Sequence, residues 1–169
     1  MQLTVPEPIL LQIGTLAVRQ SHVEGEVTLF IHELLGLDKQ RAELVTNRLG
    51  VWALVNLLSD LLISTLGEQD SRVQSFAELR KELGSLVEQR NAAVHSMWSF
   101  GNTFDATSAT RTRMKREKRS GTVVRQSSQV TQAALQEIVD RFAALQWEIS
   151  TLRVSVYHQR QVEQDRGGA

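Results

Sequence analysis

The only prolines in this 169-residue chain are Pro6 and Pro8, so everything after the eighth position lacks the residue that breaks a helix interior. That favours a mostly helical chain over a sandwich or barrel rich in turns. The length fits one domain, 1–169, and a hydrophobic content of 41% supplies a core and excludes a wholly disordered chain. Cysteine is absent, which excludes a disulfide scaffold, a thiol nucleophile and any Cys-ligated metal centre.

Apolar spacing places four helices. The first runs from about Pro8 to Leu35, with Ile13, Leu16, Val23, Val27, Phe30, Ile31, Leu34 and Leu35 recurring mostly at three and four and Gly36 as its stop. The second follows Asp38 and carries Val45, Leu49, Trp52, Val55, Leu58, Leu61 and Leu62 to a close at Gly67; it is apolar nearly all round, so the most buried position is expected for it. The third starts at Ser71, a plausible N-cap, and repeats the spacing through Phe76, Leu79, Leu83, Leu86, Val87, Val94, Met97 and Trp98. The fourth spans about Val130 to Gln161 with a heptad-like seam of Leu135, Ile138, Phe142, Leu145, Ile149, Leu152 and Val156, and a frayed tail is expected over about 164–169. Trp147 lies off that seam with Ala143, Ala144 and Val154, a strip suited either to a second subunit or to packing under the basic segment. The expected fold class is all-α, a four-helix bundle, with an insertion of about 101–129 between the third and fourth helices as a loop or short β-hairpin.

Lys plus Arg and Asp plus Glu balance at nineteen each, yet the distribution is uneven. Arg111, Arg113, Lys115, Arg116, Lys118, Arg119 and Arg125 face only Glu117 across one short stretch. Such a cluster suits contacts to an RNA backbone, whose strength comes from counterion release, with a solvated loop as the alternative. Without interleaved aromatics, base stacking is not indicated. No basic n-region precedes Ile9–Leu11, and the apolar run Val51–Leu66 is interrupted by Asn56 and Asp60 and is too short to span a bilayer. A soluble, cytoplasmic protein with no membrane partner is expected.

The candidate chemistry sits late in the third helix, in Arg90-Asn91-Ala92-Ala93-Val94-His95. Arg90 falls on the apolar stripe between Leu86 and Val94, where an unpaired cation is costly. Asn91 and His95 are four apart on one face. A permanent cation, an amide and a group that titrates near neutrality suit anion binding with proton transfer. The same Arg, four residues, His spacing recurs at Arg153 and His158 without the Asn, which serves as an internal control. A buried polar cluster completed by Asp60 is the structural alternative. His22 with Glu26, and His32 with Glu33, lack a third ligand, so no metal site is expected.

The Arg-Asn opening, the Arg-x4-His spacing and the all-helical setting resemble the HEPN superfamily (higher eukaryote and prokaryote nucleotide-binding). The resemblance covers the helical core and implies a HEPN-like bundle acting as a metal-independent endoribonuclease. It makes Arg90, Asn91 and His95 the catalytic candidates: His95 as general base or acid, Arg90 as phosphate clamp, Asn91 as orienter. Asp60, which shares a face of its apolar helix with Asn56, is the supporting candidate, placed to neutralise Arg90 or hold His95, with a surface-facing position as the alternative. The resemblance also implies RNA as substrate, 2′-hydroxyl attack, no cofactor, a homodimer with a composite site, and a role as toxin or defence effector restrained by an antitoxin or regulatory protein. The competing expectation is a non-catalytic helical interaction or nucleotide-binding module.

Overall fold

The structure, a computed structural model, describes residues 5–100, 107–116 and 122–167. It is mostly helical with one small sheet: α1 (Glu7–Leu35), α2 (Lys39–Thr46), α3 (Val51–Leu66), α4 (Ser71–Val94), β1 (Met97–Phe100), β2 (Ser108–Arg116), β3 (Val123–Thr131) and α5 (Gln132–Gly167). Among the described residues there are therefore five helices and three strands, where four helices and a loop or short hairpin are expected from the sequence. No helix among the described residues is long and apolar enough to cross a membrane.

The chain divides into two compact units. The first comprises the start of α1 to Gln20 together with Ser85–Phe142. Its core is Ile9 and Leu16 of α1, Leu86, Val87, Ala92 and Ala93 of α4, Ala109 of β2 and Leu135, Val139 and Phe142 of α5. Gln12, buried with them, donates through Nε2 to Oε1 of Gln136 at 2.8 Å, which offsets part of the cost of an amide in that position. The second unit comprises Ser21–Gly84 and the chain from Ala143 onward. Its core is Val23, Val27, Phe30, Ile31 and Leu34 of α1, Leu54, Val55, Leu58 and Leu62 of α3, Phe76, Leu79 and Leu83 of α4, and Leu145, Ile149, Leu152 and Val156 of α5.

The expected second helix is two helices. Asp38 caps α2 by accepting from the Arg41 N–H at 3.0 Å, and α2 ends at Thr46 with Asn47 donating back to Glu43. Gly50 then starts α3 from an extended backbone, φ −73° and ψ 165°. Only one face of α3 is buried. Trp52 and Ile63 are exposed, so its uniform hydrophobicity does not make it the most buried element. Gly67 ends it at φ +87°, a region that L side chains rarely adopt, with its N–H bonded to Ile63.

The cap of α4 is Asp70 rather than Ser71. Its carboxylate accepts from the Arg72 N–H at 2.8 Å and pairs with the Arg72 guanidinium at 2.6 Å, and these bonds, side chain first, hold its pKa down at about 2. At its far end α4 stops at Val94, short of the expected Trp98, because Trp98 belongs to β1. There its indole Nε1 donates to the Ala93 carbonyl at 2.7 Å, pinning the strand to the helix that precedes it.

The described residues of the basic segment lie in β2 and β3 of a sheet in the order β1-β2-β3, antiparallel throughout. β3 leads directly into α5, whose first turn is capped by Thr131 Oγ1 accepting from Ala134 N–H at 3.1 Å. In the α5 seam Val139 is buried and Ile138 only partly so. The helix continues to Gly167, past the start of the expected frayed tail; residues 168–169 lie outside the described residues.

Candidate functional site

Arg90, Asn91 and His95 all fall in the first unit, at the C-terminal end of α4. Arg90 is partly buried, and its Nη1 donates to Oδ1 of Asn91 at 3.0 Å. Its Nε is buried without a hydrogen-bond partner, an unmet donor of the kind that native structures keep for a reason. Asn91 also holds His95, but through the main chain: the His95 N–H donates to the Asn91 carbonyl at 3.0 Å. His95 is exposed and lies in the turn after α4, not on the helix. One asparagine thus fixes the guanidinium with its side chain and the start of the histidine turn with its backbone. Ser96 Oγ bonds the Ala92 carbonyl in the same turn. Asp60, expected in support, stands exposed on α3, a solvated position rather than a buried charge pair.

The sheet continues this site. β1 opens two residues after His95, with Met97 opposite Thr112 and Trp98 opposite Arg111. Because the pairing is antiparallel, β2 beyond Thr112 runs past the start of β1. Arg113 to Arg116 form that overhang, paired on their other side with Val123 to Gln126 of β3. Arg111, Arg113, Arg125, Gln126, Ser127 and Ser128 line a cleft of about 570 Å³ there. Among the described residues no carboxylate lines it. Partial burial, and then the neighbouring Arg113 charge, lowers the Arg111 pKa from its ordinary value; a guanidinium remains cationic all the same. The backbones of Lys115 and Arg116 lie in β2, and Lys118 and Arg119 lie outside the described residues.

The second unit holds features of another kind. Arg153, the control arginine, joins two α1 carboxylates, Glu33 Oε1 at 2.5 Å from Nη1 and Glu26 Oε2 at 3.5 Å from Nε, with its side chain 17% exposed. Arg160 donates to the Glu33 and Leu34 carbonyls at 3.0 and 3.1 Å, closing the end of α1. These are helix-to-helix ties, and His158 is exposed beyond them. Sequence spacing cannot find such a cluster, because its members lie more than a hundred residues apart. His32 Nε2 lies 3.0 Å from Thr46 Oγ1, beside Glu43 and Asn47 in a cleft of about 380 Å³. The Thr46 hydroxyl also lies 3.1 Å from the Ala42 carbonyl, and which of the two side chains donates across the His32 contact depends on the imidazole tautomer. Trp147 is 75% exposed, not packed beneath other chain. It walls an open cleft of about 590 Å³ with Leu79, Leu152, Glu78 and Glu148. Among the described residues no group of three or more His, Asp and Glu gathers at metal-binding distance.

Comparison with family models, with curated proteins and with solved structures finds no match, so the functional reading rests on this geometry.

Proposed function

We propose that the chain is a HEPN-like helical domain acting as a metal-independent endoribonuclease, with Arg90, Asn91 and His95 as its catalytic centre and the arginine-lined cleft of β2 and β3 as its RNA grip. One observation carries the reading. The register that sets Trp98 opposite Arg111 puts two arginines of a cationic cleft on the strand paired with β1, which opens two residues after the exposed His95.

RNA carries its own nucleophile. In the proposed reaction His95 takes the proton of a 2′-hydroxyl, the freed oxygen attacks the adjacent phosphorus, and the 5′-oxygen leaves with a proton from solvent. The products are a 2′,3′-cyclic phosphate and a 5′-hydroxyl. Arg90 stabilises the charge gathering on the phosphorane, and Asn91 holds the guanidinium through its side-chain oxygen. Arg111, Arg113 and Arg125, continued by Lys115, Arg116, Lys118 and Arg119, bind the phosphate backbone by charge without reading sequence. RNA and a second copy of the chain are the partners this reading implies. A restraining antitoxin or regulatory protein belongs to the same proposal.

The test is substitution. His95→Ala and Arg90→Ala each abolish RNA cleavage while the proteins stay folded, and His158→Ala, at the control match, leaves it unchanged. Cleavage that survives His95→Ala refutes the assignment. The exposed Trp147 beside its cleft favours a second reading, a helical interaction module; that reading predicts no RNA cleavage by the wild-type chain under any condition.

A further inference from the structure

Among the described residues no strand pairs with the outer edge of β3. β3 pairs with β2 on one side and stands last in the strand order among the described residues, and seven of its nine residues are exposed. A bare strand edge offers a row of free N–H and C=O groups, which proteins blunt with proline, charged side chains or a bulge. Val123–Thr131 contains no proline and no lysine, and Arg125 is its one charged residue. Its register against β2 runs unbroken from Val123 opposite Arg116 to Thr131 opposite Ser108, without a bulge.

We infer that this edge is the seam for a second copy of the chain, the two β3 strands pairing antiparallel about a two-fold axis at Ser127 to make one continuous sheet across the dimer. The inference gives a surface to the dimer proposed above, but it stands on the strand itself and not on catalysis.

The strand's own sequence argues for a second copy. A two-fold axis perpendicular to a sheet keeps each residue on its original face, so the axis must pass at a residue of β3. With the axis at Ser127 all nine residues find a partner: Val124 faces the partner's Val130, Arg125 the partner's Gln129, Gln126 the partner's Ser128 and Val123 the partner's Thr131. Apolar meets apolar, polar meets polar, and no like charges oppose. Moving the axis to Gln126 or Ser128 shortens the overlap and sets Val124 or Val130 against a polar side chain. Moving it to Arg125 sets two guanidinium groups face to face, which destabilises a strand pair. In the Ser127 register the two Arg125 residues lie about 14 Å apart, four residues along the strand, beyond the roughly 8 Å over which physiological salt leaves charges in sight of one another.

The consequence reaches the site. Met97 sits opposite Thr112 and Thr112 opposite Ser127, so one row of residues crosses the dimer at its axis with a Met97 at each end. Five strand spacings separate those ends, about 24 Å. The two His95 turns then serve different phosphates rather than one composite site, and the partner's Ser128 and Gln129 complete the wall of each arginine cleft.

The absence of cysteine makes the test clean. Ser127→Cys places two thiols opposite each other at the axis, within the Cα separation a disulfide accepts, whereas Gln129→Cys places them about 14 Å apart. Under mild oxidation in the absence of RNA, Ser127→Cys yields a disulfide-linked dimer on a non-reducing gel and Gln129→Cys yields none. Sedimentation equilibrium finds the wild type dimeric, and Ser127→Lys, which sets two ammonium groups face to face, raises the dissociation constant about tenfold or more with unchanged circular dichroism. A wild type that stays monomeric at 100 μM overturns the inference; so does a dimer that Ser127→Cys fails to trap, or equal trapping by both cysteine variants. None of these readouts involves RNA, so the two failures are told apart: a monomer that still cuts RNA removes the second copy from the proposed function and leaves His95 in place, and a dimer that cuts no RNA leaves the seam.

Discussion

Arg153→Ala removes a guanidinium that two carboxylates of another helix share. The arginine side chain is 17% exposed and those of Glu26 and Glu33 are 20% and 27% exposed, so all three groups have given up most of their water. Breaking a fully buried pair costs roughly 3–5 kcal/mol and breaking an exposed one roughly 0–1. The partial burial here places Arg153→Ala between them, at about 2–3 kcal/mol. With a urea m-value of about 2 kcal/mol/M, the unfolding midpoint falls by about 1–1.5 M. Most of that loss is the cost of two stranded carboxylates, so adding Glu33→Gln to Arg153→Ala restores part of it, and a double-mutant cycle reads the coupling. Urea denaturation followed by circular dichroism is the assay, with RNA cleavage measured on the folded protein, which the substitution leaves in place. A midpoint shift below about 0.3 M would refute the reasoning, because the α1 to α5 tie would then be a surface pair.

Two further outcomes follow from the same geometry. Asp70 has its pKa depressed from 3.8 to about 2 by its bonds to Arg72, so its contribution to stability is complete above about pH 4 and is lost as pH falls toward 2, where the unfolded chain protonates first. Thermal melts of Asp70→Asn therefore show a smaller drop between pH 4.5 and 2 than those of the wild type, and parallel curves would contradict the cap. Arg113→Gln together with Arg125→Gln removes two phosphate contacts, so the slope of log affinity for RNA against log salt flattens by about 1.4–1.8 units; titrations at several salt concentrations that return an unchanged slope would place the RNA elsewhere.

The helical elements were legible where a breaker or a cap marks them. Pro8 and Gly36 frame α1, and Gly67 ends α3 with the positive φ that a glycine stop implies. The break between α2 and α3 was hidden because Val45, Leu49 and Trp52 keep helical spacing across it, while the interruption at Asn47 and Gly50 depends on backbone conformation. Met97 and Trp98 likewise continue the apolar spacing of α4, yet the bond from the Trp98 indole to Ala93 draws them into β1. The long strands were unreadable as such because β3 is exposed along most of its length and so lacks the buried face that makes a strand alternate apolar with polar. The alternation of Arg111 and Arg113 with Thr110 and Thr112 was the available signal. At the site, the partial burial of Arg90 was readable from its place on the apolar stripe, whereas the exposure of His95 followed from the helix ending one residue before it. The Arg153 cluster is made only by tertiary packing.

In the proposed function RNA is cut by this chain's own side chains and the substrate's 2′-hydroxyl. The most direct measurement incubates purified protein with a defined RNA in excess EDTA, beside the same RNA carrying a single 2′-deoxy substitution at each mapped cleavage position, and identifies the end groups. Cleavage that persists in EDTA, leaves a 2′,3′-cyclic phosphate and stops at the 2′-deoxy position is the predicted result. Cleavage that vanishes in EDTA and returns with Mg²⁺, or that proceeds through a 2′-deoxy linkage, would contradict it.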